Sequence, residues 1–310
     1  MSDTKRHTRF IEEPSSIQVG PAIAEPDTAR SGGVLSPKLH RGAGSPTQPE
    51  EKSTLLRPRG FPVKPTIERH EAKFVNVFTG SPWNRYDVRY RINLGYSFGV
   101  VVARDTSHAR MIRTITGPNI EEQLQRFRQL CHSNIVKTVE IYNCFHQEDN
   151  FLVSELMLTS LRHICRSPIY PTEQQLSSIL HQVLCGEKFL LENNLVHEQL
   201  SAANILVNYA GEVKISDIES CRRDGDGTKL LESFSRLMMK LMDKEKSVSA
   251  AIGLSHPDNW SHEAIDMFAT AVSKPGVNEL LDHGYLQKRK QTELVWLVPL
   301  VLISAKHDRH

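Results

Sequence analysis

Asn204 and Asp217 are the two side chains of this 310-residue chain whose types and spacing could hold a metal ion. They bracket the end of the stretch His197 to Asp217, H-E-Q-L-S-A-A-N-I-L-V-N-Y-A-G-E-V-K-I-S-D. Its apolar triplet Ile205–Val207 predicts a short strand. Tyr209 to Gly211 predicts a turn, and Val213–Ile215 a second strand. A hairpin of that form sets Asn204 and Asp217 on its facing ends. Two oxygen-bearing side chains so placed can share a hard cation such as Mg²⁺. Asn and Asp also start and end turns for local reasons, but the order and spacing here go beyond turn chemistry.

The elements that must position this hairpin are legible on both sides. Upstream, Thr172 and Gln175 have the spacing of a capping box, with Pro171 just before them. Leu176, Ile179, Leu180, Val183 and Leu184 then form the apolar stripe of a long helix, which Asn193-Asn194 ends. That helix presents His197. Downstream, Leu230, Leu231, Phe234, Leu237, Met238 and Leu241 mark a second buried helix.

The stretch resembles the catalytic loop and metal-binding hairpin of eukaryotic protein kinases, H-R-D-L-x-x-x-N followed by D-F-G. His197, Leu200, Asn204 and Asp217 match. Glu198 stands for Arg, Gln199 for the catalytic Asp and Glu219 for the last Gly. The resemblance extends forward. Gly95 and Gly99 match the outer glycines of a Gly-rich loop that is one residue short and lacks its middle Gly, with Val101 following. Ala109 to Ile115 reads as the third strand, with Arg113 at the lysine position, and no lysine occurs from Phe74 to Val136. An arginine can hold a phosphate, but with another geometry and reach. Over the helix 120–130, Gln123 falls where the family has its ion-pairing Glu, and a Gln cannot form that pair. Val139 to Phe145 and Phe151 to Leu156 read as two antiparallel strands running into a hinge. There Ser154 would guard the back of a nucleotide pocket, Leu156 and Met157 would offer backbone groups to an adenine, and the resemblance adds Glu155 and Leu206 to the nucleotide-binding set.

Between Asp217 and the helix at Leu230 there is no A-P-E and no room for an activation segment with its substrate shelf. Glu198 agrees with that loss, since the family's Arg pairs with a phosphate on the missing segment. Ser261 is expected to cap a helix with Ile265, Phe268 and Val272 inward, stopped by Pro275. Asn278 to Leu286 resembles the last helix of PAK-like kinases. The apolar run Leu294 to Ala305 is too short to span a membrane and is expected to pack as a terminal cover.

Composition sets the frame. A net charge of +2 gives no reason to expect a nucleic-acid binder. The five cysteines form no C-x-x-C pair, which points to free thiols in a reducing compartment. The charged N-terminus has no apolar run, so an intracellular protein, cytoplasmic or nuclear, is expected. Residues 1–72 hold nine of the sixteen prolines and few aromatics, which predicts a disordered tail. Three Ser-Pro pairs, at Ser36, Ser45 and Ser81, have the form of proline-directed phosphorylation sites but also the ordinary composition of such tails.

The expected fold is α+β and two-lobed over residues 73–306. A β-rich N-lobe covers about 84–156, and a mainly helical C-lobe about 157–306 has a shortened activation segment. The resemblance implies a pseudokinase that can still accept ATP and Mg²⁺ and regulates or scaffolds a protein partner, an active kinase among the candidates. Two alternatives stay open. One is an atypical active serine/threonine kinase with Arg113 on phosphates and Asp217 on metal. The other is an interaction protein that binds no nucleotide.

Overall fold

The computed structural model of the protein describes residues 75–307, apart from 95–96, 117–118, 145–148, 224, 226 and 248–249. The predicted tail 1–72, Gly95, Ser36 and Ser45 lie outside the described residues. Ser81 accepts a hydrogen bond from Trp83 N at 3.3 Å and caps the short 3-10 turn Pro82–Asn84.

Alternating and apolar runs build the first lobe. Its elements are β1 (Asn76–Thr79), β2 (Tyr86–Asn93), β3 (Ser97–Ala103), β4 (Ala109–Ile115), helix α1 (Ile120–Gln129), β5 (Thr138–Cys144) and β6 (Asp149–Glu155). The strands form one sheet in the order β1-β5-β6-β4-β3-β2. Every pairing is antiparallel except β1 with β5, and β1 lies outside the strands that the sequence predicts. Period-two alternation gives the sheet two apolar faces. On one, Tyr86, Val101, Ile112, Tyr142 and Val153 form a cluster. On the other, Leu94, Phe98 and Met111 meet Met157 and Leu206 of the second lobe.

The second lobe contains β7 (Thr159–Ser160), α2 (Leu161–Arg166), α3 (Glu173–Glu192), β8 (Leu195–Val196), β9 (Ile205–Val207), β10 (Val213–Ile215), β11 (Arg222–Arg223), α4 (Gly227–Met242), α5 (His262–Val272), α6 (Val277–Leu281) and α7 (Leu294–His307). The capping box is formed: Thr172 Oγ1 accepts from Gln175 N, and Gln175 Oε1 from Thr172 N. All five predicted stripe residues of α3 are buried. The helix is pinned to the hairpin by Gln182, whose Oε1 accepts from Val213 N and whose Nε2 donates to Gly211 O. Gly186 permits the approach, since a Cβ there would sit 2.9 Å from Asn134 O and from the Ile215 side chain.

The fold is therefore α+β and two-lobed, and only residues 218–226 join Asp217 to α4. The stripe expected on α5 is corrected. Ala264, Met267, Phe268 and Ala271 face inward, Ile265 is half-buried and Val272 is exposed. The helix meets α4 on its small-residue side, where Ser235 Oγ donates to Ala271 O, and bulky residues cannot approach that closely. No described helix is long and apolar enough to cross a membrane.

Candidate functional site

The hairpin pairs Ile205 with Ile215 and Val207 with Val213, so Asn204 and Asp217 stand at its open end. His197 is fully buried and its Nε2 lies 3.2 Å from Ser216 O, tying the loop to β10. Asn204 closes the same loop from within. Its Oδ1 accepts from Ser201 N at 2.8 Å and its Nδ2 donates to Gln199 O at 2.9 Å. Asp217 adopts a left-handed backbone (φ 60°), and its Oδ2 accepts from Ser220 Oγ at 2.9 Å. Gln199 is exposed at the rim. Both oxygens retain lone pairs, but no cluster of three His, Cys, Asp or Glu ligands occurs among the described residues. A Mg²⁺ ion here would depend on nucleotide phosphates for its other ligands, so its fit depends on the cleft above.

Among the described residues, the inner part of that cleft is filled. Phe98 from β3 is 3% exposed, and Met111, Met157 and Leu206 are wholly buried around it. With Arg113, Phe127, Ser154, Asp217 and Ile218, Phe98, Met111 and Leu206 enclose about 20 Å³, room for roughly one water molecule. As placed, these side chains do not accommodate an adenine ring or its phosphates. The expected site residues Ser154, Met157, Leu206, Arg113 and Asp217 are brought together, but against one another. Val101 is not among them. The structure sets it in the outer cluster with Tyr86 and Ile112, a correction that follows from strand alternation. Three residues after Phe98 on the same strand, its side chain takes the opposite face. Glu155 also has another task, since its carboxylate takes Lys214 Nζ at 2.9 and 3.0 Å and Lys137 N at 2.7 Å. It links the strand end to the hairpin.

Arg113 and Glu219 form an ion pair across the cleft, both side chains being mostly buried. The guanidinium also lies 5.8 Å from the centre of the Phe127 ring. Burial alone would push the Glu219 carboxyl up, but the Arg113 charge and hydrogen bond override it and hold the group below its ordinary value. Sequence reasoning records Arg113 and Glu219 as separate departures from the kinase pattern and misses their pairing. The available signal is that they are opposite in charge. Gln123, at the expected ion-pairing position, is partly buried on α1. A second compensated change is Glu198, 3.5 Å from Arg222 on β11.

On the far side of the same loop a groove of about 990 Å³ opens between α2, Leu200–Ala203 and α4. Arg162, Arg166, Arg236, Lys240 and Lys244 line it, against one carboxylate, Glu245. Lys244 is committed to the fold, because its Nζ donates to the carbonyls of Ile164 and Ser167, and burial lowers its pKa to about 8.

Residues 110–265 match the family model described as protein tyrosine and serine/threonine kinase, half of the chain. The chain belongs to that family. Its relatives include the serine/threonine-protein kinase STE20 of Debaryomyces hansenii, 28% identical over 152 residues, which cover 46% of this chain and 14% of the relative. The serine/threonine-protein kinase PLK2 of Mus musculus is 27% identical over 120 residues, covering 38% and 17%. Mitogen-activated protein kinase 2 of Oryza sativa is 29% identical over 113 residues, covering 36% and 29%. The matched part of this chain thus spans less than a third of each of these kinases.

Proposed function

We propose that this kinase-family chain no longer transfers phosphate and acts by binding or regulating a partner protein, an active kinase among the candidates. The observation that carries this reading is the cleft, filled by Phe98 and latched by Arg113 and Glu219. Gln199 supports it, since an amide cannot take a proton from an attacking hydroxyl as a carboxylate does. The short 218–226 connection supports it as well, because it leaves no shelf for a substrate peptide. The open basic groove suits a segment of a protein partner better than the cleft suits a nucleotide. ATP enters only if Phe98 swings out and the ion pair parts, and the chain would then be a ligand-shifted switch.

The test is a thermal melt of the full chain with ATP, with and without Mg²⁺ or Mn²⁺. A ligand at a hundredfold over its Kd stabilises by about 2.7 kcal/mol, roughly 5–10 °C for a domain of this size. No shift is expected. A metal-dependent shift of that size, abolished by Asp217→Ala, would replace the closed cleft with the switch. Phosphate transfer to a protein substrate in a sensitive assay would overturn the proposal altogether. It would favour the second reading, an atypical active kinase, for which the retained Asn204 and Asp217 speak.

A further inference from the structure

A helix that is apolar all round belongs in an interior, and α7 is such a helix in the wrong place. Leu294, Leu297, Val298 and Val301 face the second lobe and are buried. The remaining arc, about 160° wide at 100° per residue, consists of Val295, Trp296, Pro299, Leu300, Leu302 and Ile303. All six are exposed, Trp296 by 70%. No charged residue interrupts it between Leu294 and Ser304. A contiguous apolar patch of this kind marks an interaction surface.

The charges around the helix select what covers it. Between 288 and 310 the sequence has five cations, Lys288, Arg289 and Lys290 ahead of the apolar run and Lys306 and Arg309 after it, against Glu293 and Asp308. Lys288 and Lys290 have carboxylate neighbours in Glu173, Glu263 and Glu293. Arg289 forms no ion pair among the described residues and donates to Leu286 O and Gln287 Oε1. In sequence both flanks of α7 are basic, which disfavours self-pairing in either helix direction. A protein partner would ask for about one hydrogen bond per 100–200 Å², whereas the only side-chain polar group on this arc is the indole N–H of Trp296. A Trp near the N-terminal end of an aliphatic face, close in sequence to Lys288, Arg289 and Lys290, matches the boundary between acyl chains and anionic headgroups.

We propose that the outward face of α7 rests on an anionic membrane surface. The helix lies in the interface and does not cross it, being about 21 Å long against a hydrocarbon core of about 30 Å. The inference stands apart from the reading of the cleft.

Flotation of the full chain with vesicles of phosphatidylcholine, with and without phosphatidylserine, tests it. The chain is expected to float with the anionic vesicles only, less so as salt rises. Trp296→Ser with Leu300→Ser and Ile303→Ser should weaken this by roughly tenfold or more at an unchanged melting temperature. Arg289→Glu, which leaves the apolar face intact, should also weaken it. No flotation of the unaltered chain would overturn the proposal, as would flotation indifferent to both variants. Concentration-dependent self-association in sedimentation, lost in the triple variant without vesicle binding, would assign the face to a second copy and overturn it too.

Discussion

Two carboxylates are buried in this molecule under opposite terms. Glu219, in the cleft, has the guanidinium of Arg113 against it and is held in its charged form. Glu187, inside α3, is wholly buried, and neither of its oxygens has a hydrogen-bond partner. Burial pushes its carboxyl well above the ordinary value and favours its neutral form, whereas Arg113 favours the charged form of Glu219. The difference teaches where the chain tolerates a misfit and where it builds a contact. In the helix core an acid sits among apolar side chains with no partner, and burial favours its protonated form. In the cleft an arginine and a glutamate, 106 positions apart in sequence, answer each other.

The contrast breaks most sharply at the arginine. Arg113→Met leaves Glu219 charged and buried without its partner, and should cost about 3 kcal/mol, read as the midpoint shift in urea unfolding. A loss within about 0.5 kcal/mol, the range of an ordinary surface substitution, would show that the pair is not what holds the cleft. Glu187→Leu should act in the other direction, adding about 2 kcal/mol at pH 7 by removing a buried unpaired acid. The two acids also give opposite pH slopes. The raised pKa of Glu187 makes stability fall as pH climbs above the unfolded carboxyl value, because unfolding then releases a proton. The lowered pKa of Glu219 makes stability fall as pH drops through its folded value. Unfolding curves from pH 4 to 8 should therefore be flatter on the alkaline side for Glu187→Leu than for the unaltered chain. An identical slope would remove the neutral-acid account of Glu187. The smallest effect is expected from Arg113→Met combined with Glu219→Leu. Replacing both partners with apolar groups should return stability to within about 1 kcal/mol of the original, and a double loss equal to the sum of the single ones would deny their coupling.

The parts of the fold that the sequence spells out are those decided locally. The hairpin strands 205–207 and 213–215, the strand 109–115 and the capping box at Thr172 are set by apolar alternation, turn residues and a four-residue cap, and they appear as read. What escaped reading is decided by contacts far apart in sequence. β1 is ordered by pairing with β5, and no turn signal joins them. On α5 the choice between Ile265 and Met267 depends on how closely α4 approaches. At the site, Asn204, Asp217 and Gln199 are legible as positions, yet the filling of the cleft by Phe98 is not. It depends on which face of β3 that side chain takes, and alternation along the strand does not say which of its two faces meets the second lobe. Glu219 was visible only as a missing glycine until Arg113 stood opposite it.

The parallel pairing of β1 with β5 has a consequence for the chain as it is made. Asn76 must wait for Glu140, so about 60 residues have to emerge after β1 before its edge is covered, several seconds at ribosomal rates of roughly 5–20 residues per second. During that interval β2, β3 and β4 can already pair, and their sheet still lacks β6, β5 and the helical lobe beneath it. The nascent N-lobe is thus an open-edged sheet for a substantial part of its synthesis, a form prone to pairing with the wrong chain. Yield in cells should accordingly respond to translation speed and to chaperones that hold nascent chains more than the stability of the finished molecule would suggest.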